Sequence, residues 1–201
     1  MDLGLVAQAR HHLGGVSVFL VGMMGCGKST TGKALARQLG YRFCDTDQLI
    51  GQVTGRTIPH LFAAEGEAGF RRWESRVLAE VSSYTRLVVA TGGGCVTQSL
   101  NWSYLQHGVV VWLDVPVEVL VQRLQQRQDR PLLAQAQTPD ELQQRLQALL
   151  AQRQAYYAQA DVRVSITAQM PVASVTQAIL QGIVRNTHPR GQSVKYTRKM
   201  E

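Results

Sequence analysis

The sequence predicts an α/β protein, a three-layer αβα sandwich with a five-stranded parallel sheet. Short apolar segments rich in β-branched residues alternate with longer segments of helical periodicity, which is typical of parallel sheets whose connections are helices. No internal repeat or second apolar core interrupts this alternation. We therefore expect one domain over residues 16–185, an N-terminal extension over residues 1–15, and a basic, disordered tail over residues 186–201.

The first strand and helix are the most strongly marked elements. Residues 16–21 form an apolar run, and residues 28–39 are helix-forming and end at Gly40, a suitable residue for closing a helix. A short second strand is predicted over residues 41–44, and it ends at Asp45-Thr46-Asp47.

The middle of the chain contains helices and a third strand. A short helix stops near Gly55, and Thr57 and Pro59 suit the first turn of the next helix. Residues 67–82 also predict a helix, and its buried stripe consists of Phe70, Trp73, Val77 and Val81. Residues 86–90 predict the third strand.

The third strand leads into a triple glycine, residues 92–94. A short helix over residues 99–106 and a fourth strand over residues 109–113 come next. Pro116 opens a helix that extends to about Arg127.

A polar segment without apolar periodicity, residues 128–137, predicts a surface loop. A capping box with proline at the first helical position starts a long helix at Thr138, which extends to about Gln159. A fifth strand over residues 161–166 and a last helix over residues 171–185 complete the domain.

The composition limits the possible classes of protein. No apolar run approaches the ~18 residues of a membrane span, and no signal peptide is recognisable. The three cysteines, Cys26, Cys44 and Cys95, have neither metal-ligand nor redox-pair spacing, so we expect reduced thiols in a cytoplasmic protein. A net charge of +7 would suit a protein that binds nucleic acid. The sequence, however, has no basic stripe interleaved with aromatic residues. We favour an enzyme that handles anionic substrates, with no nucleic-acid or membrane partner.

One segment, Gly22 to Thr30, matches the phosphate-loop pattern G-x-x-x-x-G-K-[ST] between a strand and a helix. Backbone N–H groups and the helix N-terminus would hold phosphate oxygens. Lys28 would reach the β- and γ-phosphates of ATP, and the hydroxyl of Ser29 would ligate Mg²⁺. The predicted ATP-binding residues of this loop are Gly25, Cys26, Gly27, Lys28, Ser29 and Thr30.

Further polar features follow the other strands, and chemistry in parallel sheets gathers at the carboxyl ends of strands. Asp45 and Asp47 follow strand two, the triple glycine follows strand three, and a loop with Arg130 comes after strand four. Two aspartates at a strand end could divide their roles, with one carboxylate near Mg²⁺ and the other near an acceptor hydroxyl. The alternative is an ordinary surface turn, which aspartate also favours.

In this combination the chain resembles the shikimate kinase family, within the nucleoside-monophosphate-kinase-like group, over about residues 16–184. The residues that carry the resemblance are Gly22-x-x-Gly25-x-Gly27-Lys28-Ser29, Asp45-x-Asp47, Gly55-Arg56-Thr57-Ile58, Phe70-Arg71-x-x-Glu74, Gly92-Gly93-Gly94, Arg130-Pro131-Leu132-Leu133 and Arg153-x-x-x-Tyr157. The resemblance implies a P-loop kinase fold with a mobile lid at about residues 125–138.

The resemblance also implies the acceptor site. It identifies the shikimate-binding residues as Asp47, Arg71, Gly93, Gly94 and Arg153. Two arginines suit a carboxylate, and an aspartate suits ring hydroxyls. Periodicity alone does not choose between Arg71 and Arg72, and Arg153 could equally be an exposed helix charge. Glu74 would orient Arg71 along the helix.

The remaining roles come from the same resemblance. Asp45 would lie on the Mg²⁺ side of the site through water, Arg123 would stack on adenine, and Arg130 would be the lid arginine. Together with Lys28 and Asp47, Arg130 completes the predicted catalytic set.

The function implied is an ATP-dependent kinase, a monomer, that phosphorylates the 3-hydroxyl of shikimate in aromatic amino acid biosynthesis. A related small-metabolite kinase such as a gluconate kinase is one alternative. A non-catalytic nucleotide-binding or RNA-associated module is another, and steep salt-dependent RNA binding without turnover would favour it.

Overall fold

The computed structural model describes residues 2–125 and 138–188. The strands are β1 (Val18–Val21), β2 (Arg42–Asp45), β3 (Leu87–Ala90), β4 (Val109–Asp114) and β5 (Val162–Ser165). The helices are α1 (Leu3–Leu13), α2 (Lys28–Leu39), α3 (Thr46–Thr54), α4 (Ile58–Ser82), α5 (Ser99–Leu105), α6 (Val117–Leu124), α7 (Pro139–Tyr157) and α8 (Val172–Asn186). A short 3₁₀ turn, Cys95–Thr97, precedes α5.

The strands form one five-stranded sheet in the order β2-β3-β1-β4-β5, and every pairing is parallel. Every residue of β1 and β3 is buried, and β4 is buried except at its last residue. Strands buried along their whole length need cover on both faces, because neighbouring residues point to opposite sides. The predicted α/β sandwich with its parallel sheet is thus confirmed.

The helices surround the sheet in two groups. Helix α2 packs against β1, β2 and β3, α8 packs against β5 and α2, and α1 lies on α8 and α2. In the other group α4 packs on α3 and α5, and α6 packs on α7. The 3₁₀ turn after β3 contacts both α4 and α7, so these two helices meet near the end of β3.

Most predicted elements are present, with ends that differ by one or two residues. The two helices predicted around residues 58 and 67–82 are halves of α4, which is interrupted at Gly66. Gly66 has φ 66° and ψ −176°, a backbone conformation that L side chains rarely adopt. The predicted caps are found, since Thr57 caps α4 and Thr138 forms a capping box with Glu141 at the start of α7.

Helix α1 has no counterpart among the predicted elements. Its Arg10 donates from Nε to the carbonyl of Leu39 (2.9 Å) and from Nη2 to that of Gln38 (3.1 Å), at the C-terminus of α2. His12 donates from Nδ1 to the carbonyl of Thr187 (2.6 Å), which follows α8. The guanidinium of Arg10 pairs carbonyls that have no partner within α2, and its positive charge interacts favourably with the dipole of that helix. Through Arg10 and His12, α1 is attached to the C-terminal ends of α2 and α8.

Several predictions fall on residues 126–137 and 189–201, which lie outside the described part of the chain. These are the last residues of the helix predicted to extend to Arg127, the lid with Arg130, and most of the tail. Within the residues that the structure describes, no helix is long and apolar enough to cross a membrane.

Candidate active site

The carboxyl ends of β1, β2 and β3 bring the predicted motifs to one edge of the sheet. The phosphate loop follows β1, Asp45 is the last residue of β2, and the triple glycine follows β3. Thr91 connects the two central loops, because its N–H (3.2 Å) and its Oγ1 (3.0 Å) both donate to the carbonyl of Leu20. The strand order therefore places the phosphate loop next to the triple glycine.

Lys28 and Ser29 begin α2 within the phosphate loop. Nζ of Lys28 donates to the carbonyls of Gly22 (2.8 Å) and Met23 (2.9 Å), and it lies 3.6 Å from Sγ of the buried Cys26. Oγ of Ser29 donates to Oδ2 of Asp45 (2.6 Å). The lysine is thus held over the loop, and the hydroxyl and carboxylate predicted near a metal are in contact.

Arg123, near the end of α6, lies against the same loop. Its Nη1 is 3.4 Å from the carbonyl oxygens of both Gly25 and Cys26, and donates to both. The structure therefore places Arg123 beside the predicted nucleotide site. The predicted catalytic Arg130 lies outside the described residues.

An open cleft adjoins the phosphate loop. Its lining comprises Met24, Asp47, Ile58, Phe62, Phe70, Arg71, Glu74, Gly92, Gly93, Gly94 and Arg153. All the residues predicted from the resemblance to bind the acceptor are among them. The cleft combines charged groups with aromatic and aliphatic walls, as is usual for a small-molecule site.

Arg71 lines the cleft, whereas its neighbour Arg72 is not among the lining residues and its side chain is 70% exposed. Nη1 of Arg71 donates to Oε2 of Glu74 (2.7 Å), and Nη2 donates to Oε1 of Glu67 (2.9 Å). Burial alone would lower the pKa of Arg71, but Glu74 and Glu67 hold it above its usual value. The guanidinium is charged and fixed in place.

The triple glycine is required by close packing. A Cβ on Gly92 would overlap Oε1 of Glu74, and a Cβ on Gly94 would overlap the guanidinium of Arg71. The same atom on Gly93 would lie 3.3 Å from the backbone nitrogen of Met24 in the phosphate loop. None of the three has a positive φ, so their backbone conformations are ordinary. These glycines let the backbone pass between the ion pair and the loop.

Arg153, on α7, reaches the cleft from the other side. It is 5% exposed, and among the described residues its Nη1 has no hydrogen-bond partner. A buried N–H group without a partner is costly, so this group is ready to bind an anionic oxygen.

Tyr157, one turn later on α7, is fully buried. Its hydroxyl donates to the carbonyl of Gly93 (2.5 Å), and its ring stacks on Trp112 with centroids 5.7 Å apart. Burial raises the pKa of Tyr157, against the lowering effect of the adjacent Arg153. Tyr157 thereby joins the helix that carries Arg153 to the triple glycine.

Glu74 stands at the centre of these charges. Burial raises the pKa of its carboxyl, Arg71 lowers it, Asp47 raises it and Arg153 lowers it, and the net direction is upward. Asp47 lies at the start of α3, where its backbone N–H donates to Oδ1 of Asp45 (3.1 Å). The cleft lining therefore contains two arginines and two carboxylates in mutual range.

Sequence reasoning missed the contacts of Glu67 and Tyr157 and the apolar wall of the cleft. Phe62 and Phe70 have ring centroids 4.6 Å apart, but they lie on opposite sides of the break at Gly66. Because the helix is interrupted between them, helical spacing in the sequence does not predict that the two rings meet. The spacing of Glu67 four residues before Arg71 was the available signal for their ion pair.

Comparisons with known proteins agree with this arrangement. A family model described as "Shikimate kinase" matches residues 24–184. The shikimate kinase of Synechococcus elongatus is 56% identical over 171 residues, which cover 85% of this chain and 88% of that protein. A solved structure of the shikimate kinase from Acinetobacter baumannii in complex with shikimate is 42% identical, with a TM-score of 0.81, covering 89% of this chain and 98% of that one.

A more distant structure, a gluconokinase from Sinorhizobium meliloti, is 22% identical with a TM-score of 0.54 over 85% of this chain and 92% of that one. At that identity the likeness is one of fold.

Replacing Tyr157 by Phe should lower the free energy of unfolding by about 1–2 kcal/mol, because the carbonyl of Gly93 loses its donor while the ring packing remains. The neighbouring Tyr156→Phe is the matched control, since Tyr156 is 37% exposed. Urea unfolding of both variants measures the difference. Equal midpoints for Tyr157→Phe and the wild type would contradict this role of the hydroxyl.

Proposed function

This chain belongs to the shikimate kinase family, and from that premise we propose that it transfers the γ-phosphoryl group of ATP to the 3-hydroxyl of shikimate. The products are ADP and shikimate 3-phosphate, in the pathway to the aromatic amino acids. The observation that carries the proposal is the cleft beside the phosphate loop, where two buried arginines, Arg71 and Arg153, accompany Asp47.

The acceptor binds through its charge and its hydroxyls. Shikimate has one carboxylate and three ring hydroxyls, and Arg71 and Arg153 bind the carboxylate by charge-assisted hydrogen bonds. Asp47 accepts from the ring hydroxyls and orients the one that attacks, beside the backbone of Gly93 and Gly94. The aromatic and aliphatic side chains of the cleft pack on the ring.

The phosphate donor binds at the loop after β1. N–H groups of residues 25–30 and the N-terminus of α2 face the phosphates, and Lys28 exchanges its loop carbonyls for β- and γ-phosphate oxygens. Arg123 lies close enough to the loop to flank the nucleotide. In a loose phosphoryl-transfer transition state, positioning and charge stabilisation matter more than a strong base. As the new O–P bond forms, the hydroxyl proton passes to the carboxylate of Asp47 or to solvent water.

Ser29 and Asp45 fit a magnesium ion. Their hydroxyl and carboxylate oxygens are hard donors and already lie 2.6 Å apart. The described residues contain no group of three or more His, Cys, Asp or Glu side chains suited to a metal, but Mg²⁺ needs few protein ligands because it keeps water and binds phosphates. When bound, Mg²⁺ neutralises charge on the β- and γ-phosphates.

Arg130 completes the proposed catalytic set. Arg130 belongs to the proposed lid, residues 125–138. Its guanidinium brings a positive charge to the transferring phosphoryl group, and the lid helps to exclude water. The monomeric state, the cytoplasmic location and the lack of a nucleic-acid partner stay predictions.

An acceptor panel separates shikimate from the rival substrates. ADP release is measured with shikimate, quinate, gluconate or no acceptor, in the presence of Mg²⁺ and ATP. We expect the strongest stimulation by shikimate. Gluconate is an open chain without a fixed spacing between its carboxylate and a hydroxyl, and quinate carries an extra hydroxyl on the saturated carbon that bears its carboxylate. Absence of shikimate-stimulated ADP release contradicts the proposal, and stimulation chiefly by gluconate would favour the rival kinase.

Replacing Asp47 by Asn should lower kcat about a hundredfold or more while the protein stays folded. An amide orients the acceptor hydroxyl less well than a carboxylate does, and it is a poor acceptor for the hydroxyl proton. Asp140→Asn is the matched control, since Asp140 is exposed at the start of α7. Steady-state kinetics and circular dichroism are compared for both. Near-normal turnover in Asp47→Asn would remove this residue from the reaction centre.

A further inference from the structure

Glu67 holds one of the N–H groups that Arg71 could offer to an acceptor carboxylate. Nη1 of Arg71 is taken by Glu74 at 2.7 Å, and Nη2 is taken by Glu67 at 2.9 Å. An arginine binds a carboxylate most strongly through two parallel N–H groups. Each Nη of arginine carries two N–H groups, and Glu67 holds one of those on Nη2. An incoming carboxylate that uses this N–H group competes directly with Glu67.

The two carboxylates on Arg71 differ in burial. The side chain of Glu74 is 1% exposed and that of Glu67 is 57% exposed. Glu74 holds the guanidinium from the buried side, where its carboxylate lies against the triple glycine. Glu67 is already largely hydrated and can return to water at little desolvation cost.

The backbone supports this difference. Glu67 directly follows Gly66, where the backbone departs from the helical conformation. A Cβ at Gly66 would meet nothing within 4 Å, so the space around the break is open. Movement of Glu67 away from Arg71 does not require the buried part of α4 to move.

The charge balance points the same way. The cleft lining contains Arg71 and Arg153 against Asp47 and Glu74, and Glu67 adds a third carboxylate through Arg71. With Glu67 in place, the group already carries more negative than positive charges before an anionic acceptor arrives. Arg153 offers the acceptor an Nη1 that lacks a hydrogen-bond partner among the described residues.

We propose that Glu67 is an internal competitor for Arg71, which the acceptor carboxylate displaces and which thereby weakens acceptor binding. The inference rests on the proposed role of Arg71 in binding shikimate. Glu67 acts through Arg71 and makes no contact with the reacting atoms. Its effect falls on the acceptor's affinity and leaves that of ATP unchanged.

The test compares Glu67→Gln with Glu65→Gln. The Gln side chain keeps a hydrogen-bond acceptor for Arg71 but removes the charge. Glu65 lies two residues earlier on the same helix and pairs with Arg56 (3.3 Å) instead, so its variant controls for the general loss of a negative charge. Shikimate and its uncharged methyl ester are each titrated into the protein by calorimetry, and the KM values for shikimate and ATP are measured.

For Glu67→Gln we expect the Kd and KM for shikimate to fall about threefold, the size expected from a largely exposed ion pair. The Kd for the methyl ester and the KM for ATP should stay unchanged, as should every constant of Glu65→Gln. An unchanged or higher Kd for shikimate, an equal effect on the ester, or an equal effect of Glu65→Gln would overturn the inference. If the wild type neither binds nor phosphorylates shikimate, the proposed function itself is wrong.

Discussion

The buried ion pair between Arg71 and Glu74, 2.7 Å long, is the interaction on which the acceptor side of this protein depends. Two charges so far from water are held only because they satisfy each other and lie against close backbone. The triple glycine exists to allow that approach, since a side chain at Gly92 or Gly94 would enter the space of the pair. Losing Arg71 would leave the buried carboxylate of Glu74 without this partner, which is costly.

The acceptor and donor sides are joined through the same loop. Thr91 hydrogen-bonds to Leu20, just before the phosphate loop, and Tyr157 hydrogen-bonds to Gly93 from α7. Gly93 also packs on the backbone of Met24. These contacts set the distance between the phosphate and the acceptor hydroxyl, and such positioning is most of what phosphoryl transfer requires.

Sequence patterns predicted the parallel sheet, the phosphate loop and the caps at Thr57 and Thr138. Each of these features depends on residues that lie close together in the sequence. They did not predict α1, whose attachment rests on Arg10 reaching α2 across 29 positions of the chain. Periodicity did not choose between Arg71 and Arg72, and the family motif chose Arg71. The fold supplies the physical reason, because the side chain of Arg71 is buried and that of Arg72 is exposed. Likewise, the three glycines have ordinary φ angles, and their reason is the side chains and backbone that pack against them. Those neighbours come from distant parts of the chain, so the local sequence does not reveal them.

The most direct test of this account is the binding of shikimate and of ATP to Gly94→Ala, measured separately by calorimetry. The added methyl group should push the guanidinium of Arg71 off Glu74 and out of the cleft, while the phosphate loop stays intact. We predict that the Kd for shikimate rises at least about tenfold, the equivalent of one charge-assisted hydrogen bond, and that the Kd for ATP changes less than about twofold. A folded Gly94→Ala protein that binds shikimate as tightly as the wild type would contradict it.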